Sequence, residues 1–198
     1  MIRYVPVDEQ TLKTDRDGFI AAYKEAFGGP PYFEKYTSEE VLDEVWYPHL
    51  QDGMTILALD GTKVVGFGCA LPLDKSPTDV QEFLKTLDTE VFPADFNHTW
   101  YMSELGVLES YRGRGIGYSL VKQRMLSINH RGDTHYVFRT AASGSNSIHL
   151  YRKVGAIELP VLQDVSVSDQ VVINGSQSAA RVYLYGDCES ALLNFPTT

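Results

Sequence analysis

Val107-Leu-Glu-Ser-Tyr-Arg112-Gly-Arg-Gly115-Ile-Gly117 is the stretch on which the reading of this 198-residue chain turns. The residues leading into it, Trp100 to Leu108, are aromatic and apolar enough for a strand. Those that follow, Gly115 to Asn129, make the strongest helix of the chain. There Ile116, Leu120, Val121, Met125 and Ile128 form a wide apolar stripe of the kind a helix lays on a sheet. Between strand and helix runs a glycine-rich loop that carries Arg112 and Arg114. Glycine lets a backbone take positive φ and approach a ligand closely. The first N–H groups of a helix lack helical partners, and the helix dipole adds positive potential there. Such a loop suits a phosphate or pyrophosphate, although a plain helix start with solvated arginines has the same composition. Two better-defined phosphate loops do not fit. A dinucleotide fingerprint needs GxGxxG and an acid closing the next strand, whereas Gly113, Gly115 and Gly117 run GxGxG before Tyr118, and Asp133 precedes that strand. A P-loop needs Gly-Lys-Ser/Thr after a suitable glycine, and none is present.

Working outward, Phe19, Ile20, Tyr23 and Phe27 predict a helix over 15–27, stopped by Gly28-Gly29 and followed by a loop through Tyr32. Thr37-x-x-Glu40 has the form of a capping box. It predicts a second helix bearing Val41, Leu42, Val45 and Trp46 and ending before Pro48. Met54 to Leu59, the turn Asp60-Gly61 and Lys63 to Leu71 read as a β-hairpin. Thr78 to Leu87 reads as a short helix, and Pro93 to Thr99 as loop. Tyr136 to Thr140 reads as a strand. Ser145 or Asn146 can cap a helix running through Lys153, with Gly155 as its stop. Val165 to Ile173 and Ala180 to Tyr185 are strand-like runs around a turn at Asn174-Gly175-Ser176. The order predicts an α/β fold, a central mixed β-sheet flanked by helices. No break in composition marks a boundary, so residues 1–198 read as one domain with an insertion at 74–98.

Composition narrows the function. Lys and Arg number 17 against 26 Asp and Glu, a net charge of −9, which disfavours a nucleic-acid binder. Cys69 and Cys188 form no CxxC pair, so neither a disulfide scaffold nor a cysteine zinc site is expected, and a reducing cytoplasm is the simplest setting. The five histidines make no HxxxH or HExxH pair, so no metal site is expected. No apolar run approaches the ~20 residues that span a bilayer, and Met1 to Gln10 lacks the apolar core of a signal peptide.

Arg112-x-x-Gly115-x-Gly117 resembles the pyrophosphate-binding motif of the GCN5-related N-acetyltransferase (GNAT) superfamily, Gln/Arg-x-x-Gly-x-Gly/Ala. The context agrees. Glu104-Leu-Gly-Val107 resembles the family's central strand and Ile116 to Asn129 its following helix. One strand later, Ile148-His-Leu-Tyr151-Arg-Lys-Val-Gly155-Ala156 resembles the second family signature, a helical tyrosine a few residues before a glycine. The match is close over residues 99–156 and looser outside them. The resemblance implies an acetyl-CoA-dependent N-acetyltransferase in which a neutral amine attacks the thioester directly. It places the pantetheine against the backbone of Leu105, Gly106 and Val107, and the pyrophosphate on the N–H groups of Arg112, Gly113, Arg114, Gly115, Ile116, Gly117 and Tyr118. Tyr151 matches the family's general acid toward the CoA sulfur, with a core aromatic as its alternative. Glu104 stands where many members place a general base; strand alternation puts it opposite Leu105 and Val107, so it either enters the cleft or pairs with a surface cation. Ser103, Tyr101 and His98 are weaker candidates for the base, and His149 reads as structural or exposed. Where many members carry an asparagine contacting the CoA arm, this chain has Gly144; Asn146 either takes that contact or caps the helix. The acceptor is expected to be a primary amine on a small molecule or peptide. Tyr32, Glu34 and Tyr36, beside the first loop, are candidates to hold a cationic one by charge and cation–π contact. A non-catalytic acyl-CoA-binding module of the same fold is the rival class, and a homodimer stays open.

Overall fold

A computed structural model describes residues 1–8, 12–29, 32–142, 145, 147–165, 171–173, 176–178 and 180–195. They form a mixed α/β protein whose strands are mostly antiparallel and flanked by helices. The chain divides into two compact units, one of residues 1–71 and 103–124, the other of residues 72–102 and 125–198.

In the first unit, β1 (Ile2–Pro6) pairs antiparallel with β2 (Met54–Asp60), which turns at Gly61 into β3 (Lys63–Pro72). Gly61 has φ of 61°, as the tight hairpin requires. β1 lies in the segment the sequence analysis left without an element. Its side chains are only partly buried and its pattern irregular, so the periodicity signal is weak. α1 (Leu12–Gly28) packs Phe19, Ala22, Tyr23 and Ala26 onto the hairpin. The capping box forms as expected: the Thr37 hydroxyl accepts from the Glu40 N–H, and Glu40 accepts from the Thr37 N–H.

The helix it starts does not end before Pro48. Ser38–Glu40 (α2) continues through a π-helical stretch, Val41–Trp46, into α3 (Tyr47–Gln51). Proline lacks an N–H and its ring clashes with the carbonyl four residues back in an α-helix. The wider π turn, in which the Tyr47 N–H donates to the Leu42 carbonyl, carries the chain past that clash.

The second unit holds α4 (Thr78–Lys85), β4 (Thr99–Tyr101), most of the chain after 124, and its own core. β4 pairs parallel with β6 (His135–Ala141). β6 pairs antiparallel with β10 (Ala180–Asp187), and β10 with β7 (Ile157–Asp164). Residues 74–98 are not loosely attached: Val80, Leu84 and Phe92 are buried against Tyr101, Val137, Leu159 and Tyr183. β7 is an element the sequence reading missed; its alternation is blunted by exposed Ile157 and Leu162, 58% and 60% accessible. Of the run expected over 165–173, Val171–Ile173 is a strand, while 166–170 and the turn expected at Asn174-Gly175 lie outside the described residues. β8 (Val171–Ile173) and β9 (Ser176–Ser178) pair antiparallel as a separate two-stranded sheet. α6 (Ser147–Lys153) is followed by Gly155 at φ 88°, the predicted stop. α7 (Cys188–Leu193), capped by Asp187, was not anticipated.

The single strand expected over 100–108 is instead two pieces. β4 pairs with β6, and β5 (Leu105–Val107) pairs antiparallel with β3. The chain changes partner at Met102–Glu104. Ser103-Glu104 are the only non-aromatic polar side chains of the run and mark the break, but a polar pair inside an apolar stretch does not by itself signal a change of partner.

Candidate functional site

β5 pairs with β3 in a register that matches Gly106 with Phe67. The Cys69 N–H donates to the Glu104 carbonyl and the Leu108 N–H to the Val65 carbonyl. In an antiparallel ladder, alternate residues send their amide groups to opposite edges. The backbone groups of Glu104, Gly106 and Leu108 are therefore spent on β3, while those of Leu105 and Val107 face the other edge. Among the described residues, β3 is the only strand paired with β5. One group on that edge is already engaged, since Arg112 Nε donates to the Val107 carbonyl at 3.1 Å.

The opposite faces of β3 explain how the next element sits. A Cβ at Gly66 would meet Ile116 and Leu120, and one at Gly68 would meet Arg124 Nε at 2.9 Å. These glycines let α5 (Ile116–His130) lie close on one face, while Phe67 on the other packs against Phe19, Tyr23 and Phe27 of α1. Arg124, fully buried, donates from Nη1 to the carbonyls of Cys69 (2.8 Å) and Glu104 (3.2 Å). It clamps the place where β5 begins.

The loop before α5 turns at Gly113 (φ 74°) and Gly115 (φ 77°), where L side chains are strained, and nothing lies within 4 Å of a Cβ at either position. Arg112, Gly113, Arg114 and Gly115 are exposed, Ile116 is buried, and Gly117 and Tyr118 are half-buried. The loop thus presents open backbone and the start of a 15-residue helix. Its arginines are oriented by the fold. Arg112 Nη2 donates to the Ala26 carbonyl, Arg114 Nη2 to that of Ser110, and the Arg114 guanidinium lies 4.8 Å from the Tyr111 ring centre. Open glycine backbone, a helix start and an unpaired strand edge fit the phosphate and amide ends of a CoA arm.

Glu104 is half-buried and accepts from Tyr23 Oη at 3.3 Å. Burial, and then the Glu104 charge, push the Tyr23 hydroxyl far above its usual range, so it stays a donor. Around it Tyr23, Phe27, Tyr32 and Tyr36 form a chain of ring contacts with centres 4.7–5.4 Å apart. Tyr36 Oη donates to Glu34 at 2.7 Å. Burial raises Tyr32 and Tyr36 too, with Glu34 and Glu104 adding to the shift. The three acceptor-loop candidates are thus brought together with Glu104.

Tyr151, on α6 in the second unit, is fully buried and stacked on Phe138 with ring centres 4.1 Å apart. Asn146 and Gly144 lie outside the described residues. Of the weaker candidates for the base, Tyr101 is in the second unit's core, and exposed His98 pairs with Asp95 at 2.8 Å. His149 is exposed. Ser103 has a partner that sequence reasoning missed: His49, 3% accessible, whose Nε2 lies 2.6 Å from Ser103 Oγ. Residues 54 apart cannot be joined by periodicity, and the only signal was a histidine in an apolar helix. Among the described residues, no group of three His, Cys, Asp or Glu is arranged to hold a metal, and no helix is long and apolar enough to cross a membrane.

Strand edge, glycine loop and helix start together form an α/β arrangement suited to a phosphate-bearing ligand. The model of the Acetyltransferase (GNAT) family matches residues 18–156, and the chain belongs to that family. Solved structures agree on the fold. An N-acetyltransferase from Staphylococcus aureus Mu50 is 16% identical with a TM-score of 0.65, covering 95% of this chain and 99% of its own. YncA from Salmonella typhimurium, solved with its cofactor acetyl-CoA, is 13% identical with a TM-score of 0.65, covering 95% and 94%. A ribosomal-protein-alanine N-acetyltransferase from Brucella melitensis is 17% identical with a TM-score of 0.63, covering 94% and 99%. None of the curated proteins matches the chain in sequence.

Proposed function

We propose that the protein is an N-acetyltransferase that moves an acetyl group from acetyl-CoA to a primary amine. The observation that carries this reading is the pairing of an open β5 edge with the Arg112–Gly117 loop at the start of α5. The Leu105 and Val107 backbone receives the pantetheine amides. The N–H groups from Arg112 to Tyr118 receive the pyrophosphate, with Arg112 and Arg114 adding charge. Acetyl-CoA, when bound, supplies an acyl carbon activated as a thioester. Glu104 then serves as the base that takes the proton from the acceptor ammonium, because only the neutral amine is a nucleophile. Tyr151 gives its proton to the departing sulfur. Two buried free thiols, Cys69 and Cys188, suit a reducing cytoplasm.

Full burial of Tyr151 favours a second reading, an acyl-CoA-binding module without turnover. Calorimetric titration with acetyl-CoA, followed by a CoA-release assay over a panel of amines, separates the two. Binding with release supports the enzyme, binding without release supports the module, and no binding removes both. At 100 times Kd, binding adds about 2.7 kcal/mol, a rise in Tm of about 5–11 °C for a chain of this size.

A further inference from the structure

Ser103 and Glu104 are neighbours in sequence, yet both side chains reach the same helical layer. Glu104 meets Tyr23 of α1 and Ser103 meets His49 of α3. Phe19 of α1 lies 4.9 Å, ring to ring, from Trp46, just before α3, so α1 and α3 form one layer. A regular strand would send adjacent side chains to opposite faces. Here the chain is changing partners, and the irregularity turns two polar groups toward one side. On that side stand Tyr23, Tyr32, Tyr36 and Glu34, the last three from the loop between α1 and α2.

The hydrogen-bond polarity of Ser103 follows from its partners. The Val45 carbonyl, 2.6 Å from His49 Nδ1, can only accept, so Nδ1 carries the ring proton. Burial, reinforced by the Arg124 charge, pushes His49 down to about 4, so the ring is neutral near pH 7. Nε2 is then a bare lone pair, and the bond to Ser103 forms only if the serine O–H donates. A hydroxyl has one proton and two lone pairs. With the proton committed to His49, Ser103 Oγ meets any further group as an acceptor.

We infer that Ser103 is an additional acceptor-site residue, taking a hydrogen bond from the substrate's N–H beside the Glu104 carboxylate, and that His49 is the positioning residue that fixes this polarity. The inference rests on the N-acetyltransferase reading and deepens it. The substrate class is a primary amine, whose neutral, attacking form carries two N–H donors; a neutral secondary amine carries one N–H and an alcohol one O–H.

The test measures CoA release with spermidine, tyramine, kanamycin and an alanyl peptide as acceptors, on wild type and on Ser103→Ala, His49→Leu and His49→Gln. Ser103→Ala is expected to raise the KM of a working amine about tenfold while the acetyl-CoA Kd stays within twofold. His49→Leu should raise that KM similarly, and the double variant should be no worse than either single one. His49→Gln, whose amide oxygen can still accept from Ser103, should recover most of the effect. An unchanged amine KM in Ser103→Ala, or equal losses in His49→Leu and His49→Gln, overturns the inference. The same amines are also titrated into imidazole-¹⁵N-labelled protein at pH 7, followed at His49 Nε2. If no amine is acetylated, the N-acetyltransferase reading fails, and the titration decides the inference alone. A shift at Nε2 that disappears in Ser103→Ala supports it, and the absence of such a shift overturns it.

Discussion

At the scale of single residues, the Arg112–Gly117 loop is held by backbone conformation more than by side-chain contact. Gly115 has φ of 77° and open space where a Cβ would be. Gly115→Ala therefore meets no clash in the free protein, but it pays the left-handed penalty of about 1–2 kcal/mol. Urea melts are expected to show that loss. If the pyrophosphate sits on this loop, the new methyl stands in its approach and acetyl-CoA affinity falls at least tenfold by titration. Equal affinity would place the pyrophosphate elsewhere. Tyr151 offers the complementary case. Tyr151→Phe keeps the ring stacked on Phe138 and removes only the hydroxyl. If that hydroxyl protonates the leaving sulfur, kcat falls ten- to a hundredfold and the acetyl-CoA Kd holds. An unchanged kcat, with altered stability alone, makes Tyr151 a core residue. The loop was legible in the sequence because glycine at fixed spacing has a direct conformational meaning. The Ser103–His49 pair was not, because it is made by tertiary packing between segments 54 residues apart.

At the scale of elements, α5 docks through a fit between small and large. Gly66 and Gly68 clear one face of β3, and Arg124 fills the space over Gly68. The run Lys63 to Leu71 was correctly read as a strand, but the spacing of its glycines became meaningful only once α5 lay over it. The Arg124 guanidinium supplies donors to two carbonyls at the β3–β5 junction. Arg124→Met keeps much of the volume and leaves those carbonyls without that donor, so a loss of about 2–4 kcal/mol is expected. Chemical denaturation measures it, and a loss below about 0.5 kcal/mol would show that the clamp does not hold the junction. Three of the features the sequence missed share one cause. β1, β7 and the break at 102–104 depend on which neighbour the chain pairs with, and pairing leaves little trace in local hydropathy. Pro48 misled for a related reason: its clash is real in an α-helix and is relieved by the π turn before it.

At the scale of the whole molecule, the buried neutral His49 ties stability to pH. Its value falls from 6.5 unfolded to about 4 folded, through burial with the Arg124 charge adding to it. Between those values the unfolded chain binds a proton that the native protein does not, so this group destabilises progressively as pH falls from about 6.5 toward 4 and contributes no further loss below that. A shift of this size corresponds to about 3 kcal/mol. Exposed His98 works in the opposite sense: Asp95 raises it, so its small contribution is present in acid and lost as pH rises through its folded value. His49→Gln removes the buried titration and leaves His98 in place. Urea melts at pH 7, 6, 5 and 4 are expected to show wild type well above the variant at pH 7. The gap should narrow by up to about 3 kcal/mol at pH 4, because the variant has no ring to protonate. A gap independent of pH would mean that His49 takes up its proton as readily folded as unfolded. The ring would then be partly protonated near pH 7, and that fraction would donate from Nε2 to Ser103, so the same melts also test the polarity proposed for Ser103.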